Sequence, residues 1–191
     1  MTDVERLTGI VRGAPWFMAA LGAGRQLGLA QWCIGAGALR NLVWDALHGR
    51  AGPPQLADVD FAYFCCDDLD PARDAALQRR LAEHCPGLPW EVTNQAGVHQ
   101  WFEAHFGHAV EPLLSLDDAV ASWPEPATAV GAWLDDTDRL HVIAPLGLDD
   151  LLGMRVRHNP RRASAHTYRE RCASKRYAQR WPRVVVEEPL C

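Results

Sequence analysis

The chain has 191 residues, of which 48% are apolar and 23% are charged, and its formal net charge is −5. This balance is typical of a globular protein with a sizeable core, and it excludes a wholly disordered chain. No apolar run approaches the roughly 20 residues that a membrane-spanning helix needs, and the acidic N-terminus MTDVERLTG lacks the apolar core of a secretory signal. We therefore expect a cytoplasmic protein with a single domain over residues 1–191 and no membrane partner.

Hydrophobic periodicity and turn residues predict helices that alternate with strands. In chain order they predict a helix at 3–21, a strand at 31–34, a helix at 38–47, a loop at 49–57, a strand at 59–65, a helix at 71–84 and a strand at 90–93. They then predict helices at 98–106 and 115–123, strands at 128–134 and 140–144, helices at 148–156 and 163–180, and a late strand or extended tail at 184–187. This order is typical of a mixed α/β or α+β domain. We expect its core at about 28–146, followed by a basic helical segment at about 147–191.

Charge is distributed unevenly along the chain. Residues 1–152 contain nine arginines and 21 acidic residues, whereas residues 153–191 contain nine arginines, the only lysine (Lys175) and three acidic residues. This basic end (residues 153–191) has two interpretations, and both can hold at once. It is either a surface for phosphates or nucleic acid, or a segment that folds back and neutralises the acidic body.

Six cysteines, at positions 33, 65, 66, 85, 172 and 191, allow either a disulfide framework or reduced thiols. Reduced thiols are favoured because the chain is too long to depend on disulfides and contains no C-x-x-C pair. The cysteine spacings also do not fit a zinc site.

The segment Gly35-Ala36-Gly37 places small residues between a predicted strand and a predicted helix. Such a junction turns backbone N–H groups and the positive end of the helix toward an anion, and glycine lets a phosphate approach the backbone. Small residues also let a helix pack closely on a sheet. Taken alone, this segment favours the packing interpretation.

The next predicted strand opens with Asp58 and Asp60, which share one side because residues two apart on a strand point the same way. Two carboxylates beside an apolar strand repel each other and are costly to desolvate unless a cation lies between them. Mg²⁺ binds carboxylate oxygens together with substrate phosphates, which fits this pair. The alternative is two solvated aspartates at a strand start. Glu91 would add a third carboxylate if its strand lies alongside.

Two further groups of residues have both a functional and a structural interpretation. Asn94, Gln95 and His99 could read a base or an acceptor, or Asn94 could cap the helix that carries His99. The eight tryptophans could stack on bases or pack in the core. The structural interpretation is favoured for both groups.

Several strings of the sequence resemble a bacterial family of nucleotidyltransferase-like proteins within the superfamily that includes DNA polymerase β. The strings are GALRNLVWDALHG (37–49), DVDFAYF (58–64), WEVTNQAGVHQWF (90–102), WPEPATAVGAW (123–133), APLGLDDLLGMRVRHNP (144–160) and the ending from Lys175 to Arg180-Trp181-Pro182. The resemblance implies the superfamily's fold, a mixed β-sheet flanked by helices.

The resemblance also implies a set of site residues. Asp58 and Asp60 match the metal-binding and catalytic pair, and Glu91 is the best match for the third acid. The predicted nucleotide-binding residues are Gly35, Gly37, Arg40, Asn41 and Lys175, the last as a point charge for a phosphate.

On this resemblance the chain would transfer a nucleoside monophosphate from a nucleoside triphosphate to an acceptor hydroxyl, with Mg²⁺ or Mn²⁺ as its cofactor. The acceptor could be a small molecule, a protein or an RNA end, and the sequence does not indicate the oligomeric state. Ala36 and Ala38 offer no hydroxyl where active members commonly carry serine. The alternative is therefore a nucleotide-binding or regulatory protein that has kept the fold and lost turnover.

Overall fold

The computed structural model describes residues 1–50 and 56–189, and a five-stranded sheet forms its centre. The strands are β1 (Trp32–Gly35), β2 (Val59–Tyr63), β3 (Trp90–Asn94), β4 (Gly131–Leu134) and β5 (Leu140–Ile143). Their order across the sheet is β3-β2-β1-β4-β5, with β2 parallel to β3 and the other neighbouring pairs antiparallel. The predicted mixed sheet is therefore confirmed.

Helices flank this sheet, as the sequence predicts. They are α1 (Asp3–Arg12), α2 (Pro15–Arg25), α3 (Ala36–Leu47), α4 (Pro71–His84), α5 (His99–Phe106), α6 (Leu116–Val120), α7 (Asp149–Leu152), α8 (Ala165–Lys175) and α9 (Tyr177–Arg180). Ser115 caps α6 as expected, because its hydroxyl accepts the Asp118 backbone N–H at 3.0 Å. No helix within the described ranges is long and apolar enough to cross a membrane.

The hydrophobic core joins both ends of the chain to the sheet. Leu7 from α1, Phe17 from α2, Ile34 from β1, Trp44 from α3 and Trp181 beyond α9 are all completely buried and belong to one cluster. Trp44 and Trp181 meet edge to face, with their ring centroids 5.2 Å apart. The helices at the two ends of the chain are thus packed onto the element, α3, that follows the glycine-rich turn.

Three sequence predictions of helices need correction. The predicted helix at 3–21 is two helices, because Pro15 begins the second one and lacks the N–H that would continue the first. The predicted helix at 148–156 ends at Leu152, and Arg155–Val156 (β6) instead pairs in parallel with Val185–Val186 (β7). The predicted helix at 163–180 is interrupted at Arg176, which adopts a left-handed backbone conformation with φ 50°.

The boundaries of the remaining elements agree with the sequence predictions to within a few residues, although the predicted strand at 59–65 ends at Tyr63. Residues 51–55 of the predicted loop at 49–57 lie outside the described residues. The cysteines at 33, 65, 66, 85 and 172 are free thiols, and Cys191 lies outside the described residues.

The basic end folds back onto the acidic body. Three of its arginines pair with acidic residues that precede it in the chain, namely Arg157 with Asp150, Arg161 with Asp118, and Arg171 with Glu125. The neutralising interpretation therefore holds for these pairs. Lys175 forms no such pair within the described ranges and faces a cleft.

The interruption at Arg176 gives a stability prediction. Arg176 is exposed and ends α8 at φ 50° and ψ 48°, where a side chain is unfavourable and glycine is not. Arg176→Gly is therefore expected to raise the free energy of unfolding by about 0.5–1 kcal/mol. Ala173→Gly, within exposed α8, should lower it by about 1 kcal/mol. Urea denaturation measures the free energy of unfolding of the two variants. A lower value than wild type for both would contradict the prediction for Arg176→Gly.

Candidate active site

The turn between β1 and α3 is fixed by close contact with β4. A Cβ atom added to Gly35 would lie 2.5 Å from the Val130 carbonyl oxygen and 3.0 Å from the Gly131 Cα, so only glycine fits. The same Val130 carbonyl accepts the Ala36 backbone N–H at 3.2 Å. Ala36 itself has φ 48°, a left-handed conformation that costs an alanine about 1 kcal/mol. The sequence thus forms a tight, strained turn whose position is set by the neighbouring strand.

Gly37 leaves an opening in this turn toward the carboxylates. A Cβ atom on Gly37 would lie 3.6 Å from Asp58 Oδ1 and 3.9 Å from Asp60 Oδ2. The Gly37 backbone N–H also donates a hydrogen bond to the Asp60 carboxylate. The absence of a side chain at Gly37 therefore keeps free the space between the start of α3 and the two aspartates.

The three predicted carboxylates do come together. Asp58 immediately precedes β2 and Asp60 lies within it, so both point to the same side. In the parallel pairing of β2 with β3, Asp60 is the register partner of Glu91. Asp58, Asp60 and Glu91 therefore line one cleft, as the sequence would require if β3 lay beside β2.

The surroundings of Asp60 disfavour its charged form. Its pKa is raised from 3.8 to about 6, first by burial and then by the negative charges of Asp58 and Glu91. The positive charge of Arg171 and the hydrogen bond from Gly37 lower the same pKa and offset part of the rise. A carboxylate held in this way gains stability from any additional cation that enters the cleft.

Two basic side chains of α8 complete the cleft, which has a volume of about 280 Å³. Arg171 and Lys175 are four residues apart and so lie on one face of the helix. Sequence reasoning selected Lys175 and missed Arg171, although the i, i+4 spacing of the two residues on a predicted helix was a usable signal. The cleft therefore opposes carboxylates on the sheet with cations on α8.

Arg171 is held in place by a buried acid. Its Nε donates to Glu125 Oε1 at 2.6 Å, and the Tyr177 hydroxyl donates to the same oxygen at 3.3 Å. Glu125 is completely buried, and its other oxygen has no hydrogen-bond partner within the described ranges. Because a buried charge of this kind depends on its partner, the pair fixes the guanidinium beside the cleft.

Gly35, Arg40 and Asn41, predicted to bind nucleotide, are buried and do not line the cleft. Arg40 is only 2% exposed, and its guanidinium lies over the Trp44 and Tyr177 rings at 5.4 and 4.9 Å from their centroids. It donates to the Thr128 hydroxyl at 3.1 Å and to the Asn41 side-chain oxygen at 2.9 Å. Burial lowers the Arg40 pKa. Aromatic rings therefore enclose the Arg40 guanidinium, whose Nη2 lies 3.8 Å from the position that a Cβ atom on Gly37 would take.

Asn94 has a structural role, but it caps a 3₁₀ turn and not α5, the helix that carries His99. Its side-chain oxygen accepts the backbone N–H of Ala96, which caps the 3₁₀ turn Gln95–Gly97 ahead of α5. Its amide nitrogen donates to the carbonyls of Cys65 and Asp68. Gln95, by contrast, lines the cleft. At the end of β3, Asn94 therefore caps a turn, whereas Gln95 forms part of the cleft wall.

The carboxylate oxygens of Asp58 and Asp60 suit a metal ion that is also bound by the phosphates of a ligand. Within residues 1–50 and 56–189, no group of three or more His, Cys, Asp or Glu side chains is arranged to hold a metal ion by itself. Mg²⁺ commonly binds one or two carboxylates and takes its other oxygens from phosphates and water. Asp58 and Asp60, beside the space that Gly37 leaves open, fit that mode of binding.

Solved structures similar to this chain share its architecture. An NMR structure described as revealing a CCA-adding enzyme head domain superposes with a TM-score of 0.81 at 28% identity, covering 96% of this chain and 95% of that one. A CCA-adding enzyme in complex with CTP gives a TM-score of 0.53 at 14% identity, covering 98% of this chain and 44% of that one. A tRNA-processing enzyme with CTP gives 0.51 at 17% identity, over 88% and 43%. The last two similarities show the fold alone.

Sequence comparison gives the family. No curated protein matches the chain significantly. The profile of a family described as nucleotidyltransferase matches residues 23–186, which include the glycine-rich turn, all three carboxylates and α8. The chain belongs to the nucleotidyltransferase family.

Proposed function

We propose that the protein transfers a nucleoside monophosphate from a nucleoside triphosphate to an acceptor hydroxyl, with Mg²⁺ as its cofactor. One observation carries the proposal: Asp58, Asp60 and Glu91 line a cleft beside the open turn at Gly37, opposite Arg171 and Lys175. The turn and the side chains of Arg171 and Lys175 are suited to bind phosphates, whereas the carboxylates are suited to bind a divalent metal ion.

Each residue has a distinct part in this proposal. The Lys175 ammonium and the positive end of α3 bind the outer phosphates in the space that Gly37 leaves open, while Arg171 orients the α-phosphate. Asp58 and Asp60 would hold Mg²⁺, which when bound neutralises charge that develops on the phosphates. Glu91, the most exposed of the three acids, faces the acceptor hydroxyl and takes its proton.

The bond changes follow from this arrangement. The acceptor oxygen forms a bond to the α-phosphorus as the bond from that phosphorus to the bridging oxygen breaks. Pyrophosphate leaves with the electron pair from the side of Gly37. The products are a nucleotidylated acceptor and pyrophosphate.

The structural relatives guide the choice of substrates to test. Two of them are described as complexes with CTP, and several are described as tRNA-processing or CCA-adding enzymes. CTP and tRNA are therefore the first donor and acceptor to try. An RNA acceptor that contacts the basic end would show transfer that weakens steeply with salt, because phosphate contacts release counterions.

A second candidate function is nucleotide binding without turnover. Ala36, which has φ 48°, and Ala38 place methyl groups at the turn where the resemblance implies a serine hydroxyl in active members. Nucleotide binding without release of pyrophosphate, in the presence of tRNA and other hydroxyl acceptors, would select this second function.

A thermal-shift experiment tests the site without knowledge of the acceptor. The wild type should be stabilised by one nucleoside triphosphate in the presence of Mg²⁺, and Asp58→Asn/Asp60→Asn should lose that effect. A ligand at about 100 times its Kd adds about 2.7 kcal/mol, which for this size is about 5–10 °C.

The matched control carries the same change of charge on two exposed neighbours, Asp67→Asn/Asp68→Asn. This control should keep the full Mg²⁺-dependent shift. A shift that survives in Asp58→Asn/Asp60→Asn, or that does not depend on Mg²⁺, would contradict the proposed site.

A further inference from the structure

A second cavity, of about 220 Å³, adjoins the cleft. It shares four wall residues with the cleft, namely Thr93, Gln95, Trp123 and Pro124. Beyond these, its walls include three aromatic residues, Trp101, Phe102 and Phe106, and one charged residue, Arg162. The two cavities are therefore neighbouring compartments of one continuous depression with opposite chemistry.

The aromatic walls leave large apolar surfaces open to solvent. Trp101 is 45% exposed and Phe106 is 41% exposed, and both line the cavity with the buried Phe102. The Phe102 and Phe106 rings lie 4.5 Å apart and are tilted, so they form a continuous apolar wall. Exposed aromatic groups beside a polar cleft are typical of a binding site for a flat ring.

The cavity wall also contains a cation with an unused donor. Arg162 lies over the Phe102 ring at 5.6 Å, and its Nη2 donates to the Glu111 carbonyl. Its Nη1 is buried and has no hydrogen-bond partner within the described ranges. Leaving a buried donor unpaired is unfavourable. Arg162 as a whole lines the cavity, so its guanidinium adds a positive charge to the aromatic wall.

The strand directions place this cavity on the side away from the phosphate turn. Glu91, Thr93 and Gln95 follow one another along β3 and its end, leading from the carboxylates to the cavity. Ala36 and Gly37 line the cleft but not the cavity. A ligand whose phosphates lie at the turn therefore extends its other end toward the aromatic walls.

We propose that this cavity binds the base of the donor nucleoside triphosphate, an inference that rests on the proposed function. The donor is favoured over an acceptor because only a ribose separates its base from the α-phosphate, and the two compartments share a wall. An apolar cavity of about 150 Å³ accommodates benzene, so 220 Å³ accommodates a heteroaromatic base. Stacking on Trp101 and the positive charge of Arg162 recognise that base.

The experiment compares nucleoside triphosphates with inorganic tripolyphosphate by calorimetry in Mg²⁺. Tripolyphosphate fills the phosphate part of the cleft and leaves the aromatic cavity empty. The wild type should bind the preferred nucleotide at least about 10-fold more tightly than tripolyphosphate, and Trp101→Ala should weaken nucleotide binding about 5- to 50-fold. Tripolyphosphate affinity should not change in this variant, and Trp101→Phe should retain most of the nucleotide affinity.

Leu146→Ala is the matched control, because Leu146 is 41% exposed and lines neither compartment. Equal affinities for nucleotide and tripolyphosphate, or equal weakening of both by Trp101→Ala, would overturn the base assignment and leave the proposed function intact. Unchanged nucleotide affinity with slower transfer in Trp101→Ala would assign the cavity to the acceptor and overturn the inference. Failure of the wild type to bind either ligand would instead contradict the proposed function.

Discussion

Asp60→Asn is expected to stabilise the protein by about 2 kcal/mol above pH 6 and to abolish its Mg²⁺-dependent stabilisation by nucleotide. Asp60 is largely buried beside Asp58 and Glu91, and these surroundings raise its pKa to about 6. Above that pH the native protein holds an unfavourable charge. Asparagine has nearly the same shape and no charge, so it removes this destabilising repulsion together with the carboxylate that we propose binds Mg²⁺.

The pH dependence of this gain distinguishes it from a general effect of the substitution. The pKa of Asp60 is about 6 in the folded protein against an ordinary value of 3.8, so between these values the native state binds more protons than the unfolded state. The contribution of Asp60 to the free energy of unfolding therefore falls as the pH rises from 3.8 to about 6, and above pH 6 the charged carboxylate is fully destabilising. The gain from Asp60→Asn should be near its maximum at pH 8 and small at pH 4.

Urea denaturation of wild type and Asp60→Asn at pH 8 and at pH 4 measures this difference. Asp67→Asn, at an exposed position, is the control and should change stability little at either pH. A gain of equal size at the two pH values would show that charge repulsion at Asp60 is not its cause. A loss of stability at pH 8 would contradict the electrostatic account of the cleft.

Gly35→Ala and Gly37→Ala should have opposite consequences although the two residues are neighbours in one turn. A Cβ atom at Gly35 meets the Val130 carbonyl oxygen at 2.5 Å, and a strand backbone cannot move aside. We expect Gly35→Ala to lower the free energy of unfolding by about 3 kcal/mol or more. A Cβ atom at Gly37 has ordinary contacts of 3.6 Å or longer, so this variant should fold with stability within about 1 kcal/mol of wild type.

The effect of Gly37→Ala should appear in ligand binding instead. Its methyl group would enter the space beside Asp58 and Asp60 that we assign to phosphate and metal. Chemical denaturation should therefore separate the two variants by stability, and the Mg²⁺-dependent nucleotide shift should be lost in Gly37→Ala. A stable Gly35→Ala protein would contradict the packing argument, whereas full nucleotide binding by Gly37→Ala would contradict the role of the turn.

The sequence by itself determined the family, the mixed α/β fold and the identity of the three carboxylates. These follow from local patterns: alternating apolar residues, glycine and proline at element ends, and two aspartates at the start of a strand. The strings that resemble the nucleotidyltransferase family are also contiguous. Such signals are short-range, so they can be interpreted without knowing which elements meet.

Only the tertiary structure decided which of the predicted residues share the cleft. Glu91 joins Asp60 because β2 and β3 pair in parallel, whereas Arg40 is buried against Trp44 and Tyr177 and does not line the cleft. Likewise, Arg155 lies in a strand because its pairing partner is 30 residues away in the chain. Contacts between distant segments set these outcomes, and local periodicity carries no information about such contacts.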